Sequence, residues 1–179
     1  MEKYENLILD KERALYGIKN AEIINCKFDG ASDGESALKE TNSIYVENCF
    51  FNLRYPLWHT TNGIIKNSYL DTKDAFWHSK NVTVIDSVIK GEYLAWYSEN
   101  LKLINCKIIG TQPLCYAKGL VLEECEMVDC DLSFEKSEVS ATIKGNIISI
   151  KNPIDGFIKA DSIGEIILDS ETRCKIMTK

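Results

Sequence analysis

Trp58-His59 and Trp77-His78 are the residues of this chain best placed to do chemistry: they hold both of its histidines, and each imidazole stands beside an indole. Imidazoles can act as general bases or hold a divalent ion. Indoles can offer apolar surface to a ligand or a partner. The pairs recur at an interval of 19 residues, running from Lys39-Glu40 through Trp96-Tyr97 to Cys115-Tyr116 and Phe134-Glu135. One series therefore reads Lys39, Trp58, Trp77, Trp96, Cys115, Phe134, and its neighbour reads Glu40, His59, His78, Tyr97, Tyr116, Glu135.

Glu40, His59 and His78 could share a metal ion if their side chains converged. No Asp or Cys completes a compact set, and side chains repeated at one spacing project in parallel, so neither a metal nor another cofactor is expected. Asp71 and Asp74 flank Lys73, with Asn52 and Lys90 one interval either side of Asp71. A polysaccharide lyase needs a carboxylate cluster for calcium plus a positioned base, and a hydrolase needs a carboxylate pair. This set is thin for either reaction, and no catalytic residue is assigned.

The elements that carry these residues follow from the interval itself. The motifs EIINCKFDG, YVENCFFN, IIKNSYLDT, VIDSVIKG, LINCKIIG and LEECEMVD place Cys26, Cys49, Ser68, Ser87, Cys106 and Cys125 in register, with a first step of 23 residues and then steps of 19. Runs such as NVTVIDSVIKG alternate apolar and polar residues, are rich in β-branched types and are bounded by Asn or Gly. That is strand periodicity. The Leu framework of a leucine-rich repeat is absent, so the chain is read as all-β: a single-stranded, right-handed parallel β-helix with coils of about 19 residues. Residues 1–19 are expected to cap it, 20–138 to form regular coils, and 139–179 to close the far end with longer strands or a hairpin.

Stacked coils turn the alignment into columns. Ile23, Val46, Ile65, Val84, Leu103 and Leu122 should face the core, as should Phe28, Phe51, Leu70, Ile89, Ile108 and Met127. Free exchange of Cys with Ser points to a small inward filler and away from ligation or a disulfide. Asn62, Asn81 and Asn100 suit a left-handed corner, each amide bonding its stacked neighbour. For the indoles, strand parity leaves two orientations. Either Ala75 and Trp77 face inward, or Phe76 does, with Leu38, Leu57, Ala95, Leu114 and Ser133 in its column. Lys39 in the indole series tips the reading outward, since an unpaired buried ammonium is costly.

The stretches ERALYG, FDGASDGES, NCFFNLRYPLWH, DTKDAFWHSKNVTV, GEYLAWYSENL and GTQPLCYAKGL together resemble a family of bacterial proteins of unknown function. The resemblance spans nearly the whole chain and implies a pectin-lyase-like β-helix, of which this chain would be a shortened array. It implies no catalytic residues.

Composition bounds the partners. A net charge of −6, with arginine only at positions 13, 54 and 173, argues against nucleic-acid binding. No apolar run reaches membrane-spanning length and no signal peptide is visible, which points to the cytoplasm. Seven cysteines, an odd count, favour reduced thiols there. The functional expectation is a non-catalytic binding or assembly module. Trp58, Trp77, Trp96, His59, His78, Tyr97, Tyr116 and Glu40 would form its surface, either for self-association into a homo-oligomer or for a carbohydrate stacked on the indoles. A polysaccharide-active enzyme is the alternative.

Overall fold

Apolar-polar alternation broken by Asn or Asp every few residues produces short strands joined by tight corners. The computed structural model describes residues 1–30 and 34–179; residues 31–33, inside the stretch FDGASDGES, lie outside it. In chain order the strands are β1 (Glu2–Glu5), β2 (Lys19–Ile24), β3 (Lys27–Asp29), β4 (Asn42–Glu47), β5 (Phe50–Arg54), β6 (Thr61–Lys66), β7 (Tyr69–Lys73), β8 (Lys80–Ile85), β9 (Val88–Lys90), β10 (Lys102–Ile104), β11 (Lys107–Ile109), β12 (Leu120–Val128), β13 (Glu138–Lys151), β14 (Asp155–Ile167) and β15 (Lys175–Thr178). No helix occurs among the described residues.

Every strand pairing is parallel. One ladder runs β1-β2-β4-β6-β8-β10-β12 and a second runs β3-β5-β7-β9-β11-β12, so β12 spans both. The result is a β-solenoid of about nine turns, with about 19 residues in each. Ile23 pairs with Val46, and the column continues through Ile65, Val84, Leu103 and Leu122. Phe28 pairs with Phe51, then Leu70, Ile89, Ile108 and Met127 follow. All twelve are at most 2% exposed, so both columns form the core as expected. Phe28 and Phe51 also stack ring on ring at 4.6 Å.

The corner between the two ladders is made by Asn25, Asn48, Asn67, Asp86, Asn105 and Glu124, whose φ values lie between 48° and 54°. Short polar side chains tolerate this left-handed backbone best. The Cys or Ser that follows each of them is buried and does more than fill space. The amide of Cys49 donates to Ser68 Oγ at 3.1 Å, that of Ser68 to Ser87 Oγ at 3.1 Å, and that of Cys26 to Cys49 Sγ at 3.4 Å. Cys and Ser exchange because either offers a small acceptor to the coil below. Where the second ladder hands back to the first, Asn62, Asn81 and Asn100 take φ values of 54°, 54° and 53°. Asn81 Nδ2 donates to Asn62 Oδ1 at 3.3 Å and Asn100 Nδ2 to Asn81 Oδ1 at 3.1 Å, the amide ladder expected of this column.

Ahead of the β12-β13 ladder the register departs from 19 in two places; within that ladder it goes from 19 at Leu120 and Val139 to 18 at Cys125 and Ile143, and between β13 and β14 it is 17 and then 16. Phe28 pairs with Phe51 while Glu35 already pairs with Arg54, so the extra residues of the first long step fall between Asp29 and Glu35. One further residue enters between Val128 and Leu132. It shifts Phe134 into the Leu114 column, where the Phe134 amide bonds Pro113 O as the Leu114 amide bonds Leu94 O. Three assignments are thereby corrected: Phe134 replaces Ser133 in the inward column, Glu135 replaces Phe134 in the indole series, and Lys136 replaces Glu135 beside it. At the far end β13 and β14 are long, 14 and 13 residues, and their pairings are parallel with no hairpin among the described residues.

Because Phe76 is fully buried in the stacked column, Phe76→Ala should lower the unfolding free energy by about 3–5 kcal/mol, as read by urea denaturation. A loss below about 1 kcal/mol would contradict this packing.

Candidate functional site

The return from the second ladder to the first is where the Trp-His pairs sit, and its backbone is not a strand. Tyr55, Leu57 and His59 have φ of 60°, 62° and 56°, and the next coil repeats this at Asp74, Phe76 and His78 with 56°, 63° and 56°. Left-handed residues thus alternate along each corner. Their amides bond alternately to the next and the previous coil: Tyr55 donates to Lys73 O, Leu57 to Ala37 O and His59 to Trp77 O, at 2.8, 2.9 and 3.0 Å.

This conformation overrides the strand parity on which both orientations of Trp77 rested. Ala75, Phe76 and Ser79 are all buried, Trp77 is half-buried and His78 is exposed. Neither alternating pattern describes that sequence of environments. The inward column is Leu38, Leu57, Phe76, Ala95 and Leu114, each fully buried, and the indoles lie outside it against the flank of the solenoid.

Two ladders of stacked rings occupy the corner. Trp58 lies on Trp77 with centroids 5.2 Å apart and planes at 0°, and Trp77 lies on Trp96 at 5.1 Å and 12°. Beside them His59, His78, Tyr97 and Tyr116 stack in turn at 5.0, 5.1 and 5.1 Å. Lys39 holds its ammonium 5.7 Å from the Trp58 ring centroid, closing one end of the indole stack by a cation-π contact. Cys115, fully buried, closes the other. Each indole N–H is consumed internally: Trp58 Nε1 donates to Asp74 O at 2.5 Å, Trp77 Nε1 to Tyr93 O at 2.7 Å and Trp96 Nε1 to Gln112 O at 2.8 Å.

The ring spacing matches the coil spacing of about 4.8 Å, so the ring planes lie across the solenoid axis and their edges point outward. The indole faces are covered by one another. A sugar stacking on indole needs a free face, and the stack offers none between Trp58 and Trp96. What solvent meets is a ridge of ring edges, with Tyr97 45% exposed, bordered by a groove of about 240 Å³ lined by His78, Tyr97, Ser98, Glu99, Tyr116 and Lys118. Glu40 continues the His and Tyr series and is exposed, but it stacks no ring.

Two titratable groups at this corner are perturbed. Partial desolvation of the ring against its stacked neighbours, and secondarily the neighbouring His59, hold His78 below its ordinary value although its outer edge is exposed. Burial pushes Asp74 up from 3.8 to about 6, with Lys73 opposing the rise and Glu92 adding to it. Asp74 Oδ1 is buried with no hydrogen-bond partner among the described residues, a cost unrelieved by any donor.

The other chemistry-bearing residues do not converge. Asp71 pairs with Asn52 and Lys90 on the β5-β7-β9 ladder, whereas Asp74 sits between Tyr55 and Tyr93 in the corner's own column. Among the described residues no group of three or more His, Cys, Asp or Glu is placed to hold a metal ion. Burial pushes the thiols of Cys49, Cys115 and Cys130 up to about 12, so they stay protonated near neutral pH and make poor nucleophiles. No helix of the described residues is long and apolar enough to cross a membrane. The second polar column, Asn25 through Glu124, went unread in the sequence, although its signal was the Asn or Asp preceding most of the Cys and Ser residues.

A family model described as "Protein of unknown function (DUF3737)" matches residues 2–71 and 60–179, the two segments together covering nearly the whole chain. No curated protein matches the chain.

Two outcomes follow for this corner. Trp77→Ala removes two stacking contacts and an internal hydrogen bond, and should cost about 2–4 kcal/mol of stability by chemical denaturation, with Trp77→Phe recovering part of it. For Asp74, the folded state holds its proton more tightly than the unfolded chain. Its contribution is complete below about pH 3.8 and is lost as pH rises through about 6. Asp74→Asn should therefore stabilise the protein by about 1–3 kcal/mol at pH 7.5 and by little at pH 4. Equal effects at both pH values in paired denaturation curves would refute the assignment. His78 acts in the opposite sense, its contribution being present above about 6.5 and lost as pH falls, so the comparison must be made against wild type at each pH.

Proposed function

The chain belongs to the DUF3737 family of proteins of unknown function, and from that premise we propose that it is a non-catalytic assembly module that associates with itself through the aromatic corner. The observation that carries this reading is the pair of stacked ladders with their faces covered and their edges outward. Burying a row of ring edges takes a broad, flat partner, and a protein surface of the same repeat provides one. Monomeric proteins rarely leave such a ridge uncovered without use.

The same geometry weighs against the carbohydrate reading, which rested on free indole faces. The dispersed carboxylates weigh against the polysaccharide-active enzyme. A cytoplasmic location belongs to this proposal and is supported by all seven cysteines being free thiols, as a reducing compartment would keep them. A pectin-lyase-like kinship belongs to it too, supported by coils of parallel strands turning at left-handed corners.

Light scattering coupled to size exclusion should give a mass that rises from one chain toward two as concentration increases. Tyr97→Asp, which puts a charge at an exposed ring of the ladder, should hold the mass at one chain while Tyr97→His, mimicking the preceding coil, should not. A wild-type mass of one chain at every concentration would end the proposal.

A further inference from the structure

Beside the His and Tyr ladder runs a column whose charges alternate. Lys80 pairs with Glu99, and Glu99 with Lys118. Glu138 takes the next place, its amide bonding Ala117 O as the Lys118 amide bonds Ser98 O. The Lys80 ammonium lies 3.4 Å from the Glu99 carboxylate, and both side chains remain about half exposed at 54% and 45%. Glu99 and Lys118 also border the groove along Tyr97 and Tyr116, so charge and aromatic edge share one face.

Read along the axis from Lys80 to Glu138, this column is plus, minus, plus, minus, with uncharged Thr61 before it and Asp155 after it. Turned end for end it becomes minus, plus, minus, plus. Resting on the self-association proposed above, we infer that two copies pair antiparallel through this face, about a twofold axis between Glu99 and Lys118. Glu99 of each copy then meets Lys118 of the other, and Lys80 meets Glu138. Because both copies carry the same coil spacing, all four contacts fall in register together. A slip of one coil would bring Lys80 onto Lys118 and Glu99 onto Glu99, placing like charges opposite each other, which is strongly unfavourable. The column therefore sets orientation and register, while Tyr97 packs against Tyr116 across the axis.

The test uses two charge inversions on the full chain. Glu99→Lys alone sets a new ammonium opposite Lys118 of the second copy, and Lys118→Glu alone sets a new carboxylate opposite Glu99. Each variant should weaken dimerisation about tenfold or more in sedimentation velocity. Mixed in equal amounts, the two variants become complementary at all four contacts and should dimerise about as tightly as wild type. The double variant carrying both inversions should do the same with itself. A wild-type dimer whose single variants are not rescued by mixing, or whose double variant stays weak, would overturn the antiparallel register and leave self-association standing. A wild type monomeric throughout would overturn the underlying proposal instead.

Discussion

What the rest of this structure depends on is the backbone bonding between coils, because it holds bulky residues in a left-handed conformation that they do not choose. An isolated Leu, Phe, Tyr or His at positive φ costs on the order of 1 kcal/mol or more. At the aromatic corner three such residues alternate in each coil, and each amide there is bonded to the coil above or below. The inward residue at the centre of the corner, Leu57 or Phe76, is fully buried, worth about 1.5–3 kcal/mol, which exceeds its own backbone cost. The conformation is stable only as a stack. One coil alone would have neither the bonds nor the burial.

That dependence explains why the residues with the most chemical promise are spent on structure. The indoles give their faces to each other and their N–H groups to backbone carbonyls of the next coil. The cysteines lend sulfur to backbone amides and carbonyls, as Cys49 does toward Cys26 N and Ile23 O, and burial keeps the Cys49 thiol protonated. His59 and His78 are rungs of a ladder that continues as Tyr97 and Tyr116, where an imidazole and a phenol serve equally as a flat ring. A column that accepts His or Tyr selects for shape and stacking.

The interval of 19 residues was plain in the sequence because strand registers copy it directly, and with it came both core columns, the Cys and Ser column and the Asn ladder. The orientation of Trp77 was not legible, and the reason is physical. Parity assumes extended backbone, and nothing in the types Tyr55, Leu57 or Phe76 announces a left-handed one. Asn can signal it; Leu and Phe cannot. The single residue inserted before Leu132 was hidden for a related cause, since Ser133 and Phe134 are both buried and either could have filled the inward place. Lys39 was read correctly as incompatible with a core position, but its contact with the Trp58 face was invisible until the rings were seen to lie across the axis.

A solenoid surface behaves as a ruler, and the pattern along each column decides what it can meet. The columns on either side of the aromatic corner differ in this respect. Glu35, Arg54, Lys73 and Glu92 read minus, plus, plus, minus, with ion pairs from Arg54 to Glu35 and from Lys73 to Glu92. This order is the same from either end, so in full antiparallel overlap it would set like charge against like. Lys80, Glu99, Lys118 and Glu138 reverse sign when turned and so attract their own image. Of the two flanks of one aromatic ridge, only the second is self-complementary, because sign alternates there with the period of the coil. The spacing that folds the chain is thus the spacing that lets one of its faces recognise itself.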